Sequence, residues 1–220
     1  LVAARVAGVS HVFKAGGVQA IGAMAYGTES IPRVYKIFGP GNQYVMAAKQ
    51  LVSLHDTAID MPAGPSEVCV VADASSDAEF VAADLLSQAE HDRMASAVLV
   101  TDSRALAEAV REEIERQLPL LERCDIARAS IDDNGKIIVA PSVASAIDIA
   151  NEIAPEHLEL CVENPFDLLD SVRNAGSVFM GRNCPEALGD YFAGPNHTLP
   201  TGGSARFSSP LSVDDFVKKT

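Results

Sequence analysis

Short apolar runs alternate with longer helical stretches along the 220 residues, and this alternation constrains the fold more than any other feature. Apolar runs of four to six residues are typical of buried strands, and the stretches between them have the length and composition of helices. Strands that alternate with helices indicate a parallel sheet covered by helices. The sequence therefore predicts an α/β chain of layered α/β/α, Rossmann-like but incomplete domains. The predicted strands are 10–13, 34–38, 68–71, 97–101, 136–139, 157–162 and 177–180.

The stretch 60–66 contains two prolines and a glycine and interrupts this pattern. Such a cluster punctuates regular structure, so we predict a domain boundary that separates residues 1–67 from residues 68–220. A long active-site loop is the alternative interpretation of the same stretch.

Composition narrows the function classes. Thirty acidic residues against 17 basic ones give a net charge of −13, whereas a nucleic-acid binder needs a basic face, so no nucleic-acid partner is expected. No apolar run approaches the roughly 18 residues of a membrane helix, so no membrane partner is expected either. The four cysteines are far apart and mostly in apolar surroundings, which favours a reducing, cytoplasmic setting.

Parallel α/β sheets bind ligands beyond the carboxyl ends of their strands. We therefore look for chemistry in five segments that we place at that edge. They are 16–19, 39–42, 62–67, 154–157 and 189–197.

Two of these segments are glycine-rich turns that open a helix, Gly16-Gly17-Val18-Gln19 and Gly39-Pro40-Gly41-Asn42. Glycine allows close backbone approach, and a helix N-terminus favours an anion such as a phosphate. Neither turn has the full dinucleotide-binding spacing, so tight strand-to-helix turns remain the alternative.

Three further groups of polar residues are candidates for chemistry. Gln88 and His91 share one helical face with Asp84 and can reach one metal ion, although a solvated polar stripe fits equally. Glu156 and His157 precede a strand and form a plausible acid–base pair, although two ordinary solvent-facing residues after a helix-ending proline fit equally. Adjacent strand residues point to opposite faces, so this pair needs irregular backbone. Asp190 and His197 lie in a loop rich in glycine and proline, where they can contact a metal and a substrate.

Taken together, these segments resemble the histidinol dehydrogenase family, in family order across nearly the whole chain. The resemblance rests on 16–21, 26–30, Gly39-Pro40-Gly41-Asn42, 59–67, 84–91, Pro155-Glu156-His157-Leu158, Gly189-Asp190 and Asn196-His197.

The resemblance implies an enzyme that oxidises L-histidinol to L-histidine through the aldehyde level, with NAD and zinc as cofactors. It implies that residues 1–67 are part of an NAD-binding domain and that residues 68–220 form a catalytic, zinc-binding domain. Carried over, Gln88, His91 and Asp190 would hold zinc and Glu156 and His157 would be the acid–base pair. Gln19 and Asn42 would contact NAD. The substrate would contact Ser66, Gln88, His91, His157, Asp190 and His197.

Family members have a longer N-terminal segment and a C-terminal tail that crosses a homodimer and brings a histidine to the partner's zinc. We expect this chain to be a fragment. No histidine follows His197, so we expect these residues alone to bind zinc weakly. The alternatives are a related zinc- and NAD-dependent dehydrogenase of another small alcohol, a zinc hydrolase with Glu156 as base, and a folding or assembly unit.

Overall fold

The computed structural model describes residues 1–55, 57–218 and 220, which form two compact units, Leu1–Pro62 and Ala63–Thr220. The sequence-based boundary lies between residues 67 and 68, whereas the second unit begins a few residues earlier. The reason is that Glu67 is already the first residue of a central strand.

The first unit combines three helices, one of them short, with a two-stranded parallel sheet. Its elements are α1 (Val2–Val6), α2 (Gly17–Tyr26), β1 (Lys36–Ile37), α3 (Gln43–Ser53) and β2 (Ala58–Ile59). Strands β1 and β2 run parallel, with Lys36 opposite Ala58. Apolar side chains of both longer helices and of β1 form the core, with Ile21, Ile37 and Val52 at its centre.

The second unit is built on a five-stranded parallel sheet. Its elements in chain order are β3 (Glu67–Ala72), α4 (Ala78–His91), β4 (Ser96–Thr101), α5 (Arg104–Gln117), α6 (Cys124–Asn134), β5 (Lys136–Val139), α7 (Val143–Ile153), β6 (His157–Cys161), β7 (Ser177–Met180) and α8 (Glu186–Leu188). The strand order is β5-β4-β3-β6-β7, so the chain builds outward from β3 and then returns to its other side at β6. This reversal is the topological switch point of a doubly wound sheet.

Two apolar cores cover the two faces of this sheet. Helices α4, α5 and α6 pack on one face, around Leu85, Val110 and Ala127. Helix α7 packs on the other face, around Ile147. The central strands are buried on both faces, which explains why Val68-Cys69-Val70-Val71 reads as a continuous apolar run.

The predicted layered α/β class is confirmed by this architecture. Most predicted strands and helices fall within a residue or two of their observed bounds, but the predicted strand at 10–13 is wrong. Val12 and Phe13 are about half exposed, at 50% and 42%, and within the described ranges this segment has no strand partner. Helix α6 was missed because its sequence is largely polar. No helix among the described residues is long and apolar enough to cross a membrane.

Two of the segments predicted to lie at the carboxyl edge of the sheet lie at its opposite edge. Residues 62–67 and 154–157 lead into β3 and β6, so they lie at the amino-terminal edge. A helix that connects two parallel strands must run antiparallel to them. The C-terminal ends of α4 and α7 therefore also reach this edge.

A substitution at Leu160 tests how much the stability of the second unit depends on the apolar core around Ile147. Leu160 is fully buried in β6, so Leu160→Ala should lower the free energy of unfolding by about 2–5 kcal/mol through lost apolar contact and a residual cavity. Urea unfolding followed by circular dichroism measures this loss. Leu120→Ala, at an exposed position, is the control and should change stability by about 0.5 kcal/mol or less. An equally small loss for Leu160→Ala would contradict the assigned core.

Candidate active site

The backbone of Glu67 holds both members of the predicted acid–base pair. Its N–H donates to Glu156 Oε2 at 3.2 Å, and its carbonyl oxygen lies 3.1 Å from His157 Nδ1. A carbonyl oxygen only accepts, so Nδ1 carries the imidazole proton. His157 Nε2 is therefore left as a proton acceptor.

Irregular backbone lets these adjacent residues meet. Ala154, the C-cap of α7, has φ 54° and ψ 58°, a left-handed conformation that is uncommon for a residue with a Cβ. Pro155 follows, and β6 begins at His157, so Glu156 stands just outside the alternation of the strand. The two side chains approach to 3.8 Å, from Glu156 Oε2 to His157 Nδ1. The irregular backbone that this pair was predicted to need is therefore present.

Burial tunes both groups toward neutral forms. It raises the pKa of Glu156 to about 8, against the opposing hydrogen bonds from Glu67 N–H and the Ser66 side chain. The charges of Glu186 and Glu67 push the pKa of Glu156 in the same upward direction. Burial also lowers the pKa of His157. At neutral pH the pair is therefore mainly a carboxylic acid beside a neutral imidazole.

Three other predicted residues act on His157 through their charges. Asp190 raises the pKa of His157, and His197 and His91 lower it. His91 ends α4, and both Asp190 and His197 follow α8 at exposed positions. Residues from other stretches of the chain therefore influence the acid–base pair.

Gln88 is the buried member of the predicted metal set. It is 2% exposed, and its Oε1 atom has no hydrogen-bond partner among the described residues. A buried amide oxygen without a partner costs free energy unless something donates to it or is coordinated by it. This oxygen therefore fits a cation, and His91 follows three residues later on the same face of α4.

A different group has the closest convergence of ligand atoms. Among the His, Cys, Asp and Glu residues of the described ranges, the group of three whose ligand atoms all lie within 4.8 Å of one another is Asp84, Glu159 and Cys161. Asp84 lies one helical turn before Gln88, so this group is adjacent to the predicted metal set but distinct from it.

Sequence reasoning missed three acidic residues of the site. Glu67 and Glu186 each have a buried carboxyl oxygen that lacks a partner among the described residues, and Glu159 is fully buried. Glu186 Oε1 lies 3.8 Å from His157 Nε2, and burial raises the pKa of Glu186 to about 7. The sequence did contain a signal for one of them: Glu159 is an acidic residue between Leu158 and Leu160, in a run interpreted as apolar.

In the first unit, Gln19 and Asn42 stand at helix starts. Gln19 is exposed in the first turn of α2, whose N-cap Gly16 offers no side chain to the first N–H groups. Asn42 caps α3, its Oδ1 accepting at 3.1 Å from the N–H groups of Tyr44 and Val45. The start of α2 is thus the more open of the two to an anion.

A buried ion pair fixes the loop before α3. Lys49 Nζ donates to Asp60 Oδ1 and, at 2.8 Å, to the carbonyl oxygen of Gly39. Gly39 N–H donates in turn to Asp60 Oδ2 at 2.7 Å. Both charged side chains are almost fully buried, so the backbone at Gly39 is held from both sides.

Together these observations define a parallel α/β protein with a buried carboxyl–imidazole pair suited to acid–base chemistry. The family model described as "Histidinol dehydrogenase" matches residues 1–220. The chain belongs to the histidinol dehydrogenase family.

Individual relatives agree with this assignment. Over all 220 residues the chain is 58% identical to the histidinol dehydrogenase of Syntrophotalea carbinolica and 59% identical to that of Geobacter sulfurreducens. The crystal structure of histidinol dehydrogenase from Elizabethkingia anophelis matches 99% of the chain with a TM-score of 0.96 and 49% identity. The chain spans about half the length of the curated relatives that it matches, 51% in both cases, and 50% of the solved chain.

The capping role of Asn42 is testable without any ligand. Asn42→Ala removes the acceptor of two N–H groups and should cost about 1 kcal/mol of stability in the first unit. Asn42→Asp keeps the acceptor and should retain parental stability. Urea unfolding measures both variants, and equal stability of the alanine and aspartate variants would show that the cap contributes nothing.

Glu156 should make stability depend on pH. Its folded pKa of about 8 exceeds the ordinary glutamate value of 4.5, so the stabilisation it gives is fully present below about pH 4.5 and is lost as pH rises toward 8. Glu156→Gln removes this ionisation. The stability of the variant relative to the parent should therefore increase between pH 5 and pH 8, as measured by urea unfolding of the metal-free protein. The control Glu112→Gln, at an exposed position of α5, should give a flat difference. A flat difference for Glu156→Gln as well would refute the raised pKa.

Proposed function

We propose that the complete protein is a histidinol dehydrogenase that oxidises L-histidinol to L-histidine with NAD and zinc, in the cytoplasm and as a homodimer. The observation that carries the proposal is that the backbone N–H and carbonyl of Glu67 are hydrogen-bonded to Glu156 and His157, in a chain that belongs to this family. The cysteines among the described residues are free thiols, which supports a reducing compartment.

His157 is proposed to take the proton of the alcohol. Its Nδ1 is committed to the Glu67 carbonyl, and burial keeps the ring neutral, so Nε2 is free to accept. Hydride loss from the carbinol carbon becomes favourable as the hydroxyl proton leaves. General-base assistance of this kind contributes about 10²–10⁴ to a rate.

Glu156 is proposed to assist the second oxidation. Hydration of the aldehyde needs a base beside the reacting carbon, and the Glu156 carboxyl stands 3.8 Å from the imidazole of His157. Its raised pKa makes the ionised form a stronger base than an ordinary carboxylate. Burial of the pair also limits escape of the aldehyde into water.

The donor set suits a metal ion. Gln88 Oε1 is buried and has no partner within the described ranges, and His91 and Asp190 complete the proposed ligand set of this chain. Zinc bound there would serve as a template that holds the imidazole and amine of the substrate. Ser66 and His197 are proposed as further substrate contacts.

NAD is proposed to contact Gln19 and Asn42. The open first turn of α2 supports binding of an anionic group at its N-terminus. The variant Asn42→Asp separates contact from capping, because it retains the cap but brings a negative charge toward a negatively charged ligand. Weaker NAD binding at unchanged stability would indicate direct contact.

The reaction is tested on the complete gene product that carries these residues, with NAD reduction followed at 340 nm. With histidinol as substrate, His157→Asn should lower kcat by about 10²–10⁴. With the aldehyde as substrate, Glu156→Gln should lower kcat by a similar factor, and both variants should retain the zinc content of the parent. The control Leu120→Ala should behave as the parent.

Other outcomes identify the alternatives. NAD reduction only with another small alcohol would indicate a related dehydrogenase. Hydrolysis without NAD would indicate a zinc hydrolase. No turnover and no ligand-induced shift in melting, in a protein that melts cooperatively, would leave a folding or assembly unit.

A further inference from the structure

Glu159 occupies a position where a charge is costly. It lies in the middle of β6 with no solvent exposure, between two buried leucines. A carboxylate in such surroundings is destabilising unless it is neutralised or fully hydrogen-bonded. The residue is therefore expected to have partners that a leucine could not provide.

Three partners meet this carboxyl group. Glu159 Oε1 accepts the Glu186 N–H at 2.9 Å, and the Cys161 thiol donates to Oε2 at 3.8 Å. Carboxyl oxygens of Glu159 and Asp84 lie within 4.8 Å of each other, and the pKa of each group reflects a hydrogen bond to the other. A hydrogen bond between two carboxyl groups requires a proton on one of them. Burial raises the pKa of both, which favours one proton held by the pair at neutral pH.

The pair of Glu159 and Asp84 connects the elements that carry the candidate site. Asp84 lies one helical turn before Gln88 on α4. Glu159 lies two residues after His157 and therefore on the same face of β6. Glu186 begins α8, four residues before Asp190. Glu159 therefore connects three separate elements, α4, β6 and α8, that carry residues of the candidate site.

The start of α8 depends on this contact. Its N-cap is Pro185, which has no N–H and makes no side-chain cap hydrogen bond. The Glu186 N–H is therefore the first donor of the segment, and Glu159 accepts it from another element. The segment is also held at Gly189, where a Cβ would come within 2.6 Å of the Phe179 ring.

A cation held by Asp84, Glu159 and Cys161 is the competing interpretation, since a cavity of about 210 Å³ is lined by Asp84 and Cys161. The distribution of unpartnered atoms argues against it. The buried oxygens without a partner among the described residues belong to Glu67, Gln88 and Glu186, and none belongs to Asp84 or Glu159. Glu159 is already satisfied by the Glu186 N–H and the Cys161 thiol, whereas Gln88 Oε1 has no partner in the part of the chain that the structure describes.

We propose that Glu159, bonded to Asp84, is a positioning residue that fixes Gln88 and the α8 segment with Asp190 around one metal ion. This inference rests on the proposed function. Glu159 acts through these residues and does not itself touch the metal or the substrate. Groups that orient metal ligands typically change metal affinity by about 10–100-fold when they are removed.

The test compares two substitutions in the complete gene product. Glu159→Gln keeps an oxygen that accepts the Glu186 N–H and an amide that donates to Asp84. Glu159→Met has similar length but keeps neither hydrogen bond. Zinc affinity is measured by competition with a chromogenic chelator, and ligand geometry by the visible absorption of the Co²⁺-substituted protein.

Glu159→Met should weaken zinc binding about tenfold or more and change the Co²⁺ spectrum. Glu159→Gln should stay within about threefold of the parent, with the parental spectrum. Cys161→Ala is the matched control, because it removes a neighbour of Glu159 that ties no second element, and it should also stay within threefold. Rescue by the amide would separate positioning from a general loss of stability.

Several results would overturn the inference. Parental zinc affinity in Glu159→Met would show that the site is positioned without it. A loss in Cys161→Ala equal to that in Glu159→Met would show that the cluster itself binds the cation. If Glu159→Met does not fold, Asp84→Leu, at a half-buried position, should show the same tenfold loss, and parental affinity there would overturn the inference. A parent that binds zinc stoichiometrically but reduces no NAD with histidinol would refute the proposed function alone, and a parent that binds no zinc would refute both.

Discussion

The contact between the start of β3 and the start of β6 is the constraint on which the site depends. Glu67 donates its N–H to Glu156, and its carbonyl oxygen accepts from His157. One residue therefore orients the carboxyl group and selects the imidazole tautomer. The contact exists because β3 and β6 are paired in parallel, with Val68 opposite His157. The neighbouring strands and the two cores hold that register, and the chemistry of the pair follows from it.

A concentration of buried acidic groups near this contact explains the raised carboxyl pKa values of the second unit. Glu67, Glu156, Glu159, Glu186 and Asp84 all have raised pKa values, each chiefly through burial. Like charges that cannot all ionise in a low dielectric share protons or accept N–H bonds. Such an arrangement costs stability in the metal-free protein, because five carboxyl groups leave water. A divalent cation beside Gln88 would relieve part of that cost, which couples metal binding to the packing of the strand layer.

The sequence was informative where an apolar run forms a paired strand of the sheet. The bounds of β5 and β7 were predicted to the residue, although most of β5 is exposed. The sequence misled where composition did not match the observed structure. The run at 10–13 has the composition of a strand but no strand partner in the described ranges, and α6 is a helix with few apolar residues. Glu159 was overlooked because one acidic residue does not interrupt an apolar run, although its burial makes it the most costly residue of the strand.

The family, the parallel α/β class and the candidate pair Glu156 and His157 could be predicted from the sequence, because they rest on local order along the chain and on contiguous motifs. The edge of the sheet at which the pair lies also follows from chain order, because residues 154–157 lead into β6. Tertiary structure alone decided that Glu67 meets this pair, because β3 and β6 become neighbours only in the folded sheet. It also decided the partners of the buried acids. Glu159 and Glu186 are 27 residues apart, and Glu67 and Glu156 are 89 apart. Contacts over such separations arise from strand order and packing, which no local pattern encodes.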